Sequence, residues 1–341
     1  MLAVRLYEKQ DIRLEEAAVP TIGDGELLLK TEAAFLCGTD VRMIKHGHKR
    51  YPLILGHEFS GTIAKVGSGV EYYRPGMRVA IAPNMGCGVC RLCIGGNTHL
   101  CANYQALGIH IDGGFAGYVR IPAKAVLQGN VMELGADVSF SAGALAEPLS
   151  CVYNAFERAA IRAGDAVLII GAGPIGIMHA RLAQTAGAGK VMINDLNSQR
   201  AELCKKMVPA VTVVPSEELT ETVMTLTGGL GVDVCITACP AATAQEMAIG
   251  LMAVNGRVIF FGGLPAGSKA MLDTNLIHYR QIIATGTARA SLSQFRKTLD
   301  LISAGILKVD DLVTASMPIC EFDKAFAKAS SADGLKCLLT F

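Results

Sequence analysis

The sequence predicts a two-part α/β chain, a mostly antiparallel β body followed by a doubly wound parallel sheet. Three observations carry this. Up to about residue 150, short β-type runs alternate with glycine-rich turns. From about residue 151, short and wholly apolar strands alternate with helical stretches. One of those strands, Ala166–Ile170, runs straight into the glycine turn Gly171-Ala-Gly173-Pro174-Ile175-Gly176. At 341 residues the chain is long enough for two domains, each with its own core.

In order along the chain, residues 26–30, 61–66 and 78–81 read as strands of the β body. The parallel sheet is expected from residues 167–170, 191–194, 211–214, 232–237, 258–261 and 282–285. The tail from about 288 reads as a helix near 293–303, a short β segment and a last strand at Lys336–Thr340, returning to the first domain. The expected domains are therefore 1–150, 151–287 and the return segment 288–341.

Composition agrees and excludes several functions. Half the residues are apolar and 37 are Gly, with no Trp, which suits tightly turned α/β packing. A net charge of +1 gives no general attraction to nucleic acid or anionic membranes. The longest apolar stretch, 166–178, is broken by Gly171, Gly173, Pro174 and Gly176 and is too short to span a bilayer. Eleven cysteines without an export signal point to the reducing cytoplasm. Six of them (Cys151, Cys204, Cys235, Cys239, Cys320, Cys337) sit in apolar surroundings and read as small buried hydrophobes.

Cys87, Cys90, Cys93 and Cys101 bring four thiolates within reach of one tetrahedral ion, in a lobe at about 84–104. Zinc suits an all-sulfur set, and a filled four-coordinate shell leaves no position for chemistry, so this zinc is structural. Arg91 is the only basic residue within that loop, which argues against a nucleic-acid-reading finger.

The glycine turn has the context a dinucleotide requires. Gly171 permits the tight turn, Gly173 lets backbone approach a pyrophosphate, and Gly176 lets the following helix lie close on the sheet, its N-terminus facing the phosphates. The next strand leads to Asp195, whose carboxylate can accept from both ribose hydroxyls and repels a 2′-phosphate. NAD is thus expected rather than NADP. Arg200 could reach a 2′-phosphate and tempers that preference.

Cys37-Gly-Thr39-Asp40 and Gly56-His57-Glu58 supply the mixed sulfur, nitrogen and carboxylate set of a catalytic zinc, with Glu147-Pro148 a second source of carboxylate. Singly these are ordinary residues. Together with the four-cysteine lobe, Asp112-Gly-Gly-Phe-Ala-Gly-Tyr118 and the glycine turn, they stand in the order and approximate spacing of a known family. The chain resembles the zinc-containing medium-chain dehydrogenases over essentially its whole length, most closely the polyol branch of sorbitol-type and sugar-phosphate enzymes, with threonine dehydrogenases nearby. The resemblance implies a GroES-like catalytic domain wrapped around a Rossmann domain, a homodimer or homotetramer, zinc at both sites, and a small-molecule substrate rather than a nucleic acid or membrane partner. It assigns Cys37 and His57 as metal ligands and leaves the third protein ligand open between Glu58 and Glu147.

The reaction expected is oxidation of a secondary alcohol of a polyol, sugar alcohol or sugar phosphate by NAD. Zinc lowers the pKa of bound water from about 15.7 to about 7, which is why such chemistry at neutral pH needs the ion. Thr39 would accept the alcohol proton. Where the family commonly carries a relaying histidine, three residues on, this chain has Arg42, which cannot act as a base near neutral pH. His46 and His48 are substitutes. The basic run 45–50 raises the question of an anionic substrate, and Arg289 is a substrate-side donor by resemblance. A threonine-type dehydrogenase is the alternative, and a non-catalytic protein that binds NAD and zinc is a third reading.

Overall fold

The computed structural model describes residues 1–331 and 334–341. The chain divides into two compact units, Met1–Ser150 with Arg289–Phe341, and Cys151–Ala288.

The second unit is an all-parallel sheet of six strands. Their spatial order is Val211–Val213, Lys190–Asn194, Ala166–Ile170, Val232–Thr237, Met252–Phe260, Ile283–Gly286. In chain order this is 3-2-1-4-5-6, the doubly wound arrangement in which the strand order reverses beside the first strand. Val167, Leu168 and Ile169 of that strand are fully buried, as a strand covered on both faces requires. The helix Pro174–Thr185 follows the glycine turn, with Pro174 in its first turn, where the missing N–H costs nothing. His179 of this helix is buried and meets the Phe261 ring edge-on at 5.0 Å; burial pushes its pKa down to about 3. One strand is longer than its apolar run. It begins at Met252 rather than 258, because Asn255 adopts φ +61° and the strand continues through the Asn-Gly pair that reads as a turn. A register shift between Val232 and Val234 on the neighbouring strand accompanies the irregularity.

In the first unit, the main sheet runs Val131–Glu133, Arg78–Ile81, Glu58–Val66, Leu27–Phe35, Lys336–Thr340, Val313–Pro318, with Tyr118–Ile121 also paired to Leu27–Phe35. It is antiparallel except for its last pair, Val313–Pro318 and Lys336–Thr340, which is parallel. A hairpin of Leu2–Glu8 and Asp11–Glu16 adds a small sheet with Leu53–Ile54. The core includes the fully buried Phe35, Phe59 and Phe115. Phe35 joins two distant parts of the chain. It pairs with Glu58 on one side and Leu338 on the other, so the chain's last strand lies two positions from the Gly56-His57-Glu58 segment.

Among the six scattered cysteines, Cys204, Cys235 and Cys337 are buried, Cys151 and Cys239 are half-buried, and Cys320 is exposed. Cys320 departs from the buried expectation because it lies in a short 3₁₀ turn whose inward residue is Ile319. Among the described residues no helix is long and apolar enough to cross a membrane.

Candidate active site

The four cysteines of the lobe converge. Sγ–Sγ separations are 3.9 Å for Cys87–Cys93, 3.5 Å for Cys90–Cys93 and 3.8 Å for Cys90–Cys101. A zinc–sulfur bond of about 2.3 Å in a regular tetrahedron demands edges of about 3.8 Å, so the donors fit a zinc ion. None of them is in a disulfide. Backbone N–H groups of Val89 and Cys90 bring the Cys87 thiol down to about 6, towards the thiolate that binds metal.

The second cluster is Cys37, His57 and Glu58, whose donor atoms all lie within 4.8 Å of one another. Cys37 caps the helix Gly38–His46, and the backbone N–H of Cys37 donates to Asp40 Oδ2 at 2.9 Å. Asp40 Oδ1 lies 3.3 Å from His57 Nδ1, with both side chains buried. The two atoms make no hydrogen bond in this geometry, but with the Asp40 carboxylate beside Nδ1, Nε2 is the nitrogen that would be available to a metal. Burial opposes protonation of His57, but the charges of Asp40 and Cys37 outweigh it and hold its pKa well above the ordinary value. Gly56, at φ +92°, precedes this histidine because a Cβ there would meet the Phe115 ring at 2.4 Å.

Glu58 is fully buried and accepts from Lys336 Nζ at 2.7 Å and 2.5 Å. Burial lowers the lysine's pKa, and Glu58, together with the charges of Cys37 and Glu147, more than restores it. Counting Cys37 as the thiolate in which it binds metal, three anions (Cys37, Asp40, Glu58) face one lysine, an excess that a divalent cation offsets. The donor set and the charge both fit zinc.

Glu147 is 7 % exposed, in the helix Phe140–Ala159, and is not part of the three-residue cluster. Its charge acts on both Lys336 and Tyr104. Thr39 is half-buried in the first turn of Gly38–His46, while Arg42 is exposed on the same helix.

In the other unit, Gly171 takes φ +116°, and a Cβ on Gly176 would meet Gly171 O at 1.8 Å. Gly173 faces open space, where backbone approach to a pyrophosphate is unobstructed. Pro174 and Ile175 start the helix behind it. Asp195 accepts from Ala172 N at 2.7 Å and Asn197 N at 2.8 Å, so it clamps the glycine turn. A carboxylate has about four acceptor positions, which leaves capacity for ribose hydroxyls. Arg200 lies in the next helix, Ser198–Met207. The loop fits a dinucleotide.

Residues 23–130 match the alcohol dehydrogenase GroES-like domain, and residues 174–304 match the zinc-binding dehydrogenase family. The L-threonine 3-dehydrogenase of Bacillus velezensis is 33 % identical over 322 residues, spanning 92 % of this chain and 90 % of that protein. The chain belongs to the zinc-containing medium-chain dehydrogenases. A solved zinc-binding dehydrogenase of Sinorhizobium meliloti, bound to NADP, matches with a TM-score of 0.92 and 30 % identity, over 100 % of this chain and 99 % of that one. Galactitol-1-phosphate dehydrogenase of Escherichia coli matches with a TM-score of 0.90 and 27 % identity, over 100 % of both chains. This medium-chain dehydrogenase is thus an oxidoreductase, with zinc and a nicotinamide dinucleotide as its cofactors.

Two residues of the dehydrogenase's metal centre escaped the sequence reading of roles. Asp40 carried a signal, standing three positions after Cys37 where a helix-capping carboxylate belongs. Lys336 carried a fainter one: a lone lysine opening the apolar run Cys337-Leu338-Leu339, hence a buried cation in need of an anion.

Proposed function

We propose that this enzyme oxidises a secondary alcohol of a polyol, sugar alcohol or sugar phosphate, with NAD as the acceptor. The observation that carries the reading is the convergence of Cys37, His57 and Glu58, oriented by Asp40 and Lys336. Cys37 and His57 would hold the metal, and Glu58 or Glu147 would complete its protein ligands. Zinc bound there supplies the Lewis acidity that lets an alcohol proton leave near neutral pH. Thr39 receives that proton at its hydroxyl. Arg42 cannot pass it on, so the path to solvent runs through His48 or through water. The dinucleotide that the glycine turn would hold supplies the hydride acceptor. Gly171, Gly173 and Gly176 set its phosphates, and Asp195 favours the unphosphorylated ribose over the reach of Arg200.

The polyol branch is supported by the match to a galactitol-1-phosphate dehydrogenase. Oxidation of L-threonine is the second reading, favoured by the 33 % identity to threonine dehydrogenases. A substrate panel of polyols, polyol phosphates, sugar acids and L-threonine, followed by NADH absorbance, decides between them. Turnover of none of these, with metal bound at both clusters, sinks both readings.

Eleven free cysteines, Cys320 among them exposed, suit a reducing cytoplasm. The edge strand Ile283–Gly286, with Ile283 exposed, supports a homodimer or homotetramer that covers it.

A further inference from the structure

The basic run between the two ligand segments divides in the fold. Lys45 and His46 end the helix Gly38–His46 and are exposed. His48, half-buried, and Arg50, itself exposed, meet the segment that follows the cysteine lobe. The His48 and His110 rings stand edge-on with centroids 6.2 Å apart, and Arg50 Nη1 donates to His110 O at 3.4 Å. Arg50 N donates to His48 Nδ1 at 3.3 Å. His110 Nδ1 accepts from Ala106 N at 3.1 Å, so the ring proton of neutral His110 sits on Nε2, free to donate.

The string continues towards the metal centre. The Tyr104 ring lies edge-on to His110 at 4.9 Å, and the Arg289 guanidinium stacks 3.9 Å from the Tyr104 centroid while donating to His99 O at 2.6 Å. Arg289 holds φ +59°, a left-handed conformation that is strained for a residue with a Cβ. The fold imposes it, and it accompanies the placement of a guanidinium on this tyrosine. The charges of Arg289, His57 and Glu147 all act on Tyr104, so this end of the string lies within electrostatic range of the metal cluster. Partial burial, then the charges of Arg50, His48 and Arg289, lowers the pKa of His110, which records several basic groups converging on one point. None of the ion pairs among the described residues involves Arg50, His48 or His110.

We propose that Arg50, His48, His110 and Arg289, with Tyr104 as their stacking platform, receive an anionic group of the substrate, a carboxylate or a phosphate, while its carbinol lies at Cys37, His57 and Glu58. The inference rests on the dehydrogenase reading and adds the charge class of the substrate. Guanidinium and imidazole N–H groups held by aromatic contacts form short, charge-assisted bonds to such oxygens. A merely solvated basic turn would attract anions diffusely, and Lys45 would then serve as well as Arg50.

The test titrates the zinc-loaded, full-length protein calorimetrically with sorbitol, gluconate and sorbitol 6-phosphate, and follows NADH absorbance with the same compounds. At least one anion binds about 10-fold or more tighter than sorbitol, the range of a hydrogen bond to a charged group. Arg50→Ala and Arg289→Lys each remove most of that preference, and Lys45→Ala keeps it. Preference for the phosphate or for the carboxylate names the source of the charge, and either supports the receptor. Equal affinity for all three compounds, or an equal loss on Lys45→Ala, overturns it; turnover of sorbitol in that case leaves the dehydrogenase reading intact. Tight anion binding with no alcohol oxidised has the reverse meaning, upholding the receptor and removing the proposed substrate class.

Discussion

The four-cysteine lobe gathers its donors between residues 87 and 101, whereas the Cys37–His57–Glu58 centre draws its donors and counter-charges from positions between 37 and 336. The lobe is uniform, with sulfur on sulfur at tetrahedral spacing and no side-chain counter-ion to position. The other centre is mixed and surrounded by charge. Asp40 steadies the histidine and Lys336 neutralises the carboxylate. A closed site can therefore be written into one loop, because saturation needs only the right number of like ligands. A reactive site must keep a ligand position available and still balance its charge, which takes contributions that only the completed sheet brings together.

The largest expected effect comes from breaking the lobe. Cys93→Ser removes a buried sulfur donor, one whose thiol burial pushes up to about 11 until a metal displaces its proton, and since structural zinc contributes about 10 kcal/mol or more, metal analysis should show one zinc lost per chain. Retention of both ions would mean the lobe is not a closed four-sulfur site. Next comes Lys336→Met. Orphaning the buried Glu58 should lower stability by about 3–5 kcal/mol in urea unfolding of the metal-free protein. The loss should shrink when zinc is present, since the ion supplies the missing positive charge. An equal loss in both states would show that Glu58 never faces the metal.

Asp40→Asn sharpens the contrast further. It should weaken zinc at the Cys37–His57 centre about 10–100-fold, read by competition with a chelator, and leave the lobe's zinc untouched. The smallest effect separates ordinary acid sensitivity from metal loss. His179 has a folded pKa of about 3 against 6.5 unfolded, so above 6.5 neither state is protonated and its contribution is constant. Below 6.5 only the unfolded chain takes up the proton, and stability falls as pH drops towards 3. Between pH 7 and 5.5 this amounts to about 1 kcal/mol, which His179→Leu should abolish in chelator-treated protein. An unchanged pH dependence in that variant would place the acid sensitivity elsewhere.

How much was legible tracks the same division. The parallel sheet could be read because its strands are continuous apolar runs; the one misjudged start, Met252, hid behind Asn255 and Gly256, residues that usually turn the chain. The lobe could be read from spacing alone. The candidate ligands Cys37, His57, Glu58 and Glu147 were nameable through resemblance, but Glu58's pairing with Lys336 was not, because their strands flank a third and stand 278 residues apart in sequence, which leaves no local trace. The parallel pairing of Val313–Pro318 with Lys336–Thr340 was not legible either, because two short strands joined by a helix carry no mark of which partner each takes. Likewise, the convergence of His48 and Arg50 with His110 depends on where two loops meet in the folded unit.

The pairing of Lys336 with Glu58 also imposes a schedule on biosynthesis. Glu58 leaves the ribosome 278 residues ahead of its counter-ion, an interval of roughly 15–55 s at about 5–20 residues per second. Throughout that interval the nascent β body lacks the lysine that pairs with Glu58. The side-chain cation of the metal centre arrives only with the strand Lys336–Thr340.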